Sequence, residues 1–213
     1  MVNLKQRLDA LMDRQQRCPT GLAGRVVGAR MARQHAPETV WTISLLDIAP
    51  ADHVLEIGCG AGRAIEPLAA RALEGRVTGL DLSRTMVRAA GRRNAPLIKA
   101  GRVAIQQGDV SRLPCADRQF DKILSIHTLY FWPDPARAVA ELARVLKPGG
   151  LLALTFSPGK VGTPEDTGVR AVVYDRVLPA MERSGFMTVR VERGPDSRRY
   201  KTLAVIGVMS HRL

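Results

Sequence analysis

A chain of 213 residues with 46% hydrophobic content is long enough for one compact water-soluble domain with a core of its own. No apolar run is long enough to cross a bilayer. The formal net charge is +12, but only six of the 32 basic residues are lysines and the arginines are scattered. This reads as a solvated arginine-rich surface rather than a nucleic-acid footprint.

The first fifty residues read as helical. Leu4, Leu8, Leu11 and Met12 recur at helical spacing, and Cys18-Pro19-Thr20-Gly21 breaks that helix. The polar, periodic start does not have the pattern of a signal peptide. A second short helix is expected over Leu22 to Arg33. A third starts after Pro37, runs through Val40, Trp41, Leu45 and Leu46, and closes at Pro50. Residues 1–50 are expected to form a helical extension, a lid or cap, on a domain spanning 51–213.

From residue 53 strand and helix patterns alternate. The apolar runs are His53–Ile57, Val77–Leu82, Val103–Gln107, Lys122–His127 and Leu151–Phe156. Helices are expected over Gly62–Leu73, Ser83–Arg93, with Ser83 as N-cap, and Pro135–Leu146. Lys147-Pro148-Gly149-Gly150 should stop the last of these and turn into the next strand. Such alternation implies an α/β fold, a doubly wound parallel sheet covered on both faces by right-handed crossovers. Residues 157–168 read as a loop and Val169–Ser184 as a helix. Phe186–Glu192 and Lys201–Met209 read as two strands with a turn at Gly194-Pro195-Asp196-Ser197.

The most informative stretch is Val54-Leu55-Glu56-Ile57-Gly58-Cys59-Gly60-Ala61-Gly62, a buried strand running into a glycine-rich turn, with Asp81 closing the next strand. A tight turn beside a ligand and a carboxylate about 20 residues further on is the arrangement that binds a nucleoside cofactor. A dinucleotide fingerprint would need glycine at 63, where this chain has Arg63. A glycine triplet by itself also fits a strand–helix turn that holds no ligand.

With glycines at 58, 60 and 62 after Glu56, the turn resembles motif I of class I S-adenosylmethionine (SAM)-dependent methyltransferases. Gly108-Asp109-Val110 resembles the adenine-binding turn of that family. Leu113-Pro114-Cys115-Ala116-Asp117-Arg118-Gln119-Phe120-Asp121 and Glu141–Gly150 are similar to segments of its methyltransferase type 11, ubiquinone/menaquinone-biosynthesis-like group. The resemblance covers about residues 50–157. It implies a Rossmann-like, seven-stranded sheet whose last strand is antiparallel, with SAM as cofactor and S-adenosylhomocysteine as product. Glu56 would hold the amino group, Asp81 the ribose hydroxyls and Asp109 the adenine amino group, with the Val110 N–H on a ring nitrogen. Gly58, Cys59, Gly60, Gly62, Leu82, Met86, Gly108, Ile126 and His127 complete the expected cofactor contacts.

The acceptor side is less specified. Ligands of such folds lie beyond the carboxyl ends of the strands, which places Ile126 and His127 at the methyl-donor pocket. His127 is either a general base or a ring that packs on the cofactor, because methyl transfer from a sulfonium rests largely on alignment. Tyr130, Phe131 and Trp132 read first as packing aromatics and second as a substrate cage. His35 and Trp41, on the extension, are candidate lid residues of a substrate pocket on position alone, and Tyr130 is assigned to the same pocket. No Asn-Pro-Pro-Tyr or Asp-Pro-Pro-Phe tetrapeptide follows the fourth strand, which argues against methylation of nucleic-acid bases.

The three cysteines, 18, 59 and 115, suit neither a disulfide framework nor a metal site, and a reduced, cytoplasmic setting is the expectation. The sequence therefore points to O- or C-methylation of a small hydrophobic metabolite by a monomer or homodimer. RNA or protein methylation, and SAM binding without turnover, stand as the alternatives.

Overall fold

The computed structural model describes residues 36–211. The two earlier helices of the extension, and His35, lie outside the described residues. Among these residues the elements run α1 (Ala36–Leu45), β1 (His53–Ile57), α2 (Ile65–Ala69), β2 (Arg76–Asp81), α3 (Arg84–Arg93), α4 (Ala95–Lys99) and β3 (Val103–Gln107). Then come β4 (Phe120–Ile126), a 3-10 turn at Leu129–Phe131, α5 (Pro135–Val145), β5 (Leu146–Phe156), α6 (Thr167–Arg170), α7 (Leu178–Arg183), β6 (Phe186–Arg193) and β7 (Leu203–Met209).

Seven strands form one sheet in the order β3-β2-β1-β4-β5-β7-β6. The first five in that order are mutually parallel, and β7 runs antiparallel to both β5 and β6. This is the doubly wound architecture expected from the alternating pattern. The order reverses at β1, which pairs with β2 on one side and β4 on the other. A crevice opens at the carboxyl ends of those strands.

The period-2 alternation of side chains divides the core between two faces. Leu55, Ile57, Ile123, Leu152 and Leu154 point to a cluster roofed by α5 residues Ala138, Val139 and Leu142. Val54, Leu124 and Ala153 point the other way, against Ile65 and Leu68 of α2 and Ile43 of α1. Because both faces are covered, these strands read as continuous apolar runs rather than alternating ones.

Several boundaries differ from the sequence expectation. The helix after the glycine turn begins at Ile65, not at residue 62, because Gly60 and Gly62 both hold positive φ and keep the backbone out of a helix. Lys147-Pro148-Gly149-Gly150 does end α5, but the residues belong to an irregular start of β5. They bulge opposite Asp121, between the pairs Phe120–Leu146 and Lys122–Leu151. Both Asp121 carboxyl oxygens accept from Lys147 Nζ at 2.8 Å.

The expected helix over 169–184 is continuous but widens to a π-helical stretch at Ala171–Val177, where Leu178 N–H donates to Val173 C=O five residues back. Pro179 lies just beyond. It has no N–H, and its ring would clash with the carbonyl four residues earlier, so the ladder widens ahead of it.

The glycines of the turn answer to different neighbours. A Cβ on Gly58 would collide with Thr128 Cγ2, and one on Gly62 would lie 2.6 Å from Asn94 Nδ2 and 2.8 Å from Ala90 Cβ. Only at Gly60 would it meet open space. Asn94 and Arg93, at the end of α3, donate to the carbonyls of Gly62 and Ala61, each at 3.0 Å, and so clamp the turn. Gly62→Ala is therefore expected to destabilise the protein by at least about 2 kcal/mol, from left-handed strain and overpacking together. Urea denaturation measures this, and an unchanged midpoint would contradict the clamp.

Candidate functional site

At the switch point a cavity is bounded by the ends of β1, β2 and β4, the turns that follow them, the turn after β3, and α1. Of the residues singled out from the sequence, Glu56, Gly58, Cys59, Gly60, Asp81, Leu82, Met86, Gly108, Asp109, Val110, Ile126 and His127 line it. Gly62 does not, since its role is the packing against α3. Trp41 and Tyr130 do not line it either. The Trp41 ring lies over Gly194, in the connection between β6 and β7. The Tyr130 hydroxyl is held by the Ser157 N–H and by His127.

The wall also includes Thr39 from α1, Arg63, Thr128 and Pro133, which the sequence did not mark as site residues, and Phe131 and Trp132, which it read first as packing aromatics. Thr128 was traceable only through the fold, as the side chain that makes position 58 a glycine. Phe131 is half-buried. Trp132 is buried in the core yet reaches the cavity.

Glu56 stands at the end of β1 and is 5% exposed. Burial, and secondarily the neighbouring Asp81 charge, push its carboxyl up from 4.5 to about 8. Its Oε2 is buried and meets no donor among the described residues. Such an oxygen calls for a cation or donor from a ligand.

Asp81 is also buried. Its Oδ2 accepts from Gly60 N–H and its Oδ1 from Ser83 N–H, both at 2.8 Å. Burial raises its carboxyl above the ordinary value, and the two backbone donors offset part of that rise. A carboxylate has further lone pairs beyond these two bonds, so Asp81 can fix the glycine turn and still accept from a ligand.

Asp109 is exposed, and its Oδ1 accepts from Ser111 N–H at 2.8 Å, which shapes the turn after β3. The 113–119 segment is pinned by Arg144. This side chain donates to the carbonyls of Leu113 and Cys115 and pairs with Glu141 and Asp117. Burial pushes the Cys59 thiol well above its usual range, which makes it a packing group and not a nucleophile.

His127 follows β4 directly with φ of 57°. Its Nδ1 lies 3.1 Å from the Tyr130 hydroxyl, and its Nε2 lies 3.7 Å from Glu38 Oε1 of α1. Among the described residues no group of His, Cys, Asp or Glu could hold a metal ion, and no helix is long and apolar enough to cross a membrane.

The methyltransferase domain family matches residues 55–154. An uncharacterized methyltransferase of Bacillus subtilis, YdaC, is 31% identical over 143 residues, covering 67% of this chain and 77% of that protein. The 27-O-demethylrifamycin SV methyltransferase of Amycolatopsis mediterranei is 34% identical over 52% of this chain and 40% of its own. Several further relatives are likewise spanned over less than half their length. In fold, the chain is similar to geranyl diphosphate C-methyltransferase of Streptomyces coelicolor. The TM-score is 0.66 at 16% identity, over 83% of this chain and 78% of that one.

Fold, cavity and family match agree, and the chain belongs to the class I SAM-dependent methyltransferases. The fit to the cofactor can also be judged on chemistry. The buried Glu56 oxygen without a donor and the Asp81 carboxylate beside Gly60 suit a molecule with an ammonium group and vicinal hydroxyls.

Proposed function

We propose that the protein methylates a hydroxyl or carbon of a small hydrophobic molecule, with SAM as donor. The observation that carries this reading is Glu56, which lines the same cavity as apolar Ile126, Phe131, Trp132 and Pro133 and whose buried Oε2 meets no donor among the described residues. When bound, SAM supplies an electrophilic methyl group on a sulfonium sulfur.

The chain's own residues bind and orient. Glu56 takes the amino group, Asp81 the ribose hydroxyls, and Asp109 with the Val110 N–H the adenine edge. The wall formed by Ile126, Phe131, Trp132 and Pro133 keeps water from the transfer end and favours an apolar acceptor. Alignment within such a wall supplies much of the barrier reduction. Relatives named as O-methyltransferases, from Penicillium expansum and Aspergillus sclerotiorum, support a small-molecule acceptor.

The test is release of S-adenosylhomocysteine over a panel of phenols, enols and hydroxylated polyketides, with RNA and a basic protein in the same panel. Turnover is expected with apolar hydroxylated compounds. Turnover with RNA alone, falling steeply with salt, would replace this reading with RNA methylation.

A further inference from the structure

We propose that Glu38, carried in on α1, holds the His127 imidazole as the neutral tautomer with its proton on Nε2. His127 is then a fixed wall of the methyl-transfer end of the cavity, not a proton acceptor for the molecule bound there. The placement of that end rests on the function proposed above; the tautomer does not.

The argument begins at Tyr130. The Ser157 N–H donates to its oxygen, and His127 Nδ1, at 3.1 Å, stands ready to accept the phenol hydrogen. A buried donor left unmade costs about 1–3 kcal/mol, so the O–H points at Nδ1. The remaining ring proton therefore sits on Nε2, which faces Glu38 Oε1 at 3.7 Å. That separation is longer than a hydrogen bond and is an electrostatic contact. Glu38 is 2% exposed, a burial rare for a carboxyl without a structural reason.

The surrounding backbone is built to hold this ring. His127 keeps a left-handed φ of 57°, a strained state that persists only where the neighbourhood enforces it. Its N–H donates to Thr155 C=O at 2.8 Å. Thr155 anchors α1 as well, since its hydroxyl lies 2.6 Å from that of Thr42. The Thr42 hydrogen already goes to Glu38 C=O at 2.7 Å, so Thr155 is the donor of that pair. Both the helix that carries Glu38 and the turn that carries His127 thus hang on one β5 residue. Thr39, next to Glu38, lines the cavity. With Nδ1 engaged by Tyr130 and Nε2 carrying a proton toward Glu38, neither nitrogen offers a lone pair to the cavity.

Long-range 1H–15N spectra of the full chain test this directly. The protein has four histidines, and His127→Gln identifies the signals. A neutral ring with a protonated Nε2 and a hydrogen-bonded Nδ1 is expected. Glu38→Gln, which can still present a carbonyl oxygen, should keep that signature. Glu38→Ala should lose it and speed amide exchange in α1 about tenfold, with the β1 amides unchanged. A ring protonated on Nδ1, or a Glu38→Ala protein whose ring signals match wild type, would overturn the proposal. Calorimetry with S-adenosylhomocysteine runs in parallel. If wild type fails to bind it, the cofactor reading falls while the tautomer result stands.

Discussion

Asp81→Ala is expected to weaken S-adenosylhomocysteine binding by at least about hundredfold in calorimetry. Each hydrogen bond from a ribose hydroxyl to a carboxylate contributes roughly 1.5–3 kcal/mol, and one buried carboxylate would accept two. The loss has a second source. Asp81 also takes the N–H groups of Gly60 and Ser83, so its removal frees the turn between β1 and α2 and loosens the approach to α3. The melting temperature should therefore fall along with the affinity.

Asp81→Asn separates the two contributions. An amide can still accept one backbone N–H but has lost the charge and one acceptor. Its binding should sit between wild type and Asp81→Ala, with more of the stability retained. Affinity undiminished in either variant would remove Asp81 from the ribose and leave it a turn residue only.

How much of this was legible in the sequence depends on where the determinants sit. The strands at His53–Ile57 and Val103–Gln107 have the expected bounds, because each is an apolar run flanked by turn residues. Ser83 caps α3 as expected, its hydroxyl accepting from Met86 N–H at 3.3 Å. A cap is decided by four consecutive residues and can be read locally. The short helix α4 does carry a start signal, Asn94 at its N-cap position and Pro96 in its first turn. But the Asn94 side chain makes no capping bond, none of the helix's residues is buried and no periodicity marks it.

The glycine turn shows the limit most clearly. The spacing located the turn, but only the fold reveals that position 58 answers to Thr128, position 62 to Ala90 and Asn94, and position 60 to open space. The pairing of Glu38 with His127 joins residues far apart in sequence through two elements that meet on β5. Trp41 and Tyr130 were assigned to the substrate pocket, and neither lines the cavity. The Trp41 ring meets Gly194 and the Tyr130 hydroxyl takes the Ser157 N–H, partners that lie in the C-terminal third of the chain, while His127, in the cavity wall, also holds Tyr130.

The pH dependence of cofactor binding should carry the imprint of Glu56. In the ligand-free protein burial holds its carboxyl at about 8, so near neutrality it is mostly protonated. An α-amino group has an ordinary pKa of roughly 8 and is mostly charged there. The productive pair is carboxylate with ammonium. Forming it at pH 7 requires Glu56 to release its proton, and calorimetry in buffers of different ionisation enthalpy should detect nearly one proton released per S-adenosylhomocysteine bound. Affinity should rise about tenfold per pH unit up to about 8, where carboxylate and ammonium coexist best, and decline above it as the amine loses its charge.

The same group sets a stability trend in the free protein. A carboxyl raised from 4.5 to about 8 on folding means that the folded state binds the extra proton. Its contribution is fully present below about 4.5 and is lost as pH rises through about 8. Glu56→Gln removes both effects together. It should flatten the rising limb of the affinity profile, abolish the proton release and make stability less sensitive to pH over that window. A variant that still released a proton on binding would place the titrating group elsewhere in the cavity, with Asp81, whose carboxyl burial also raises, as the next residue to change.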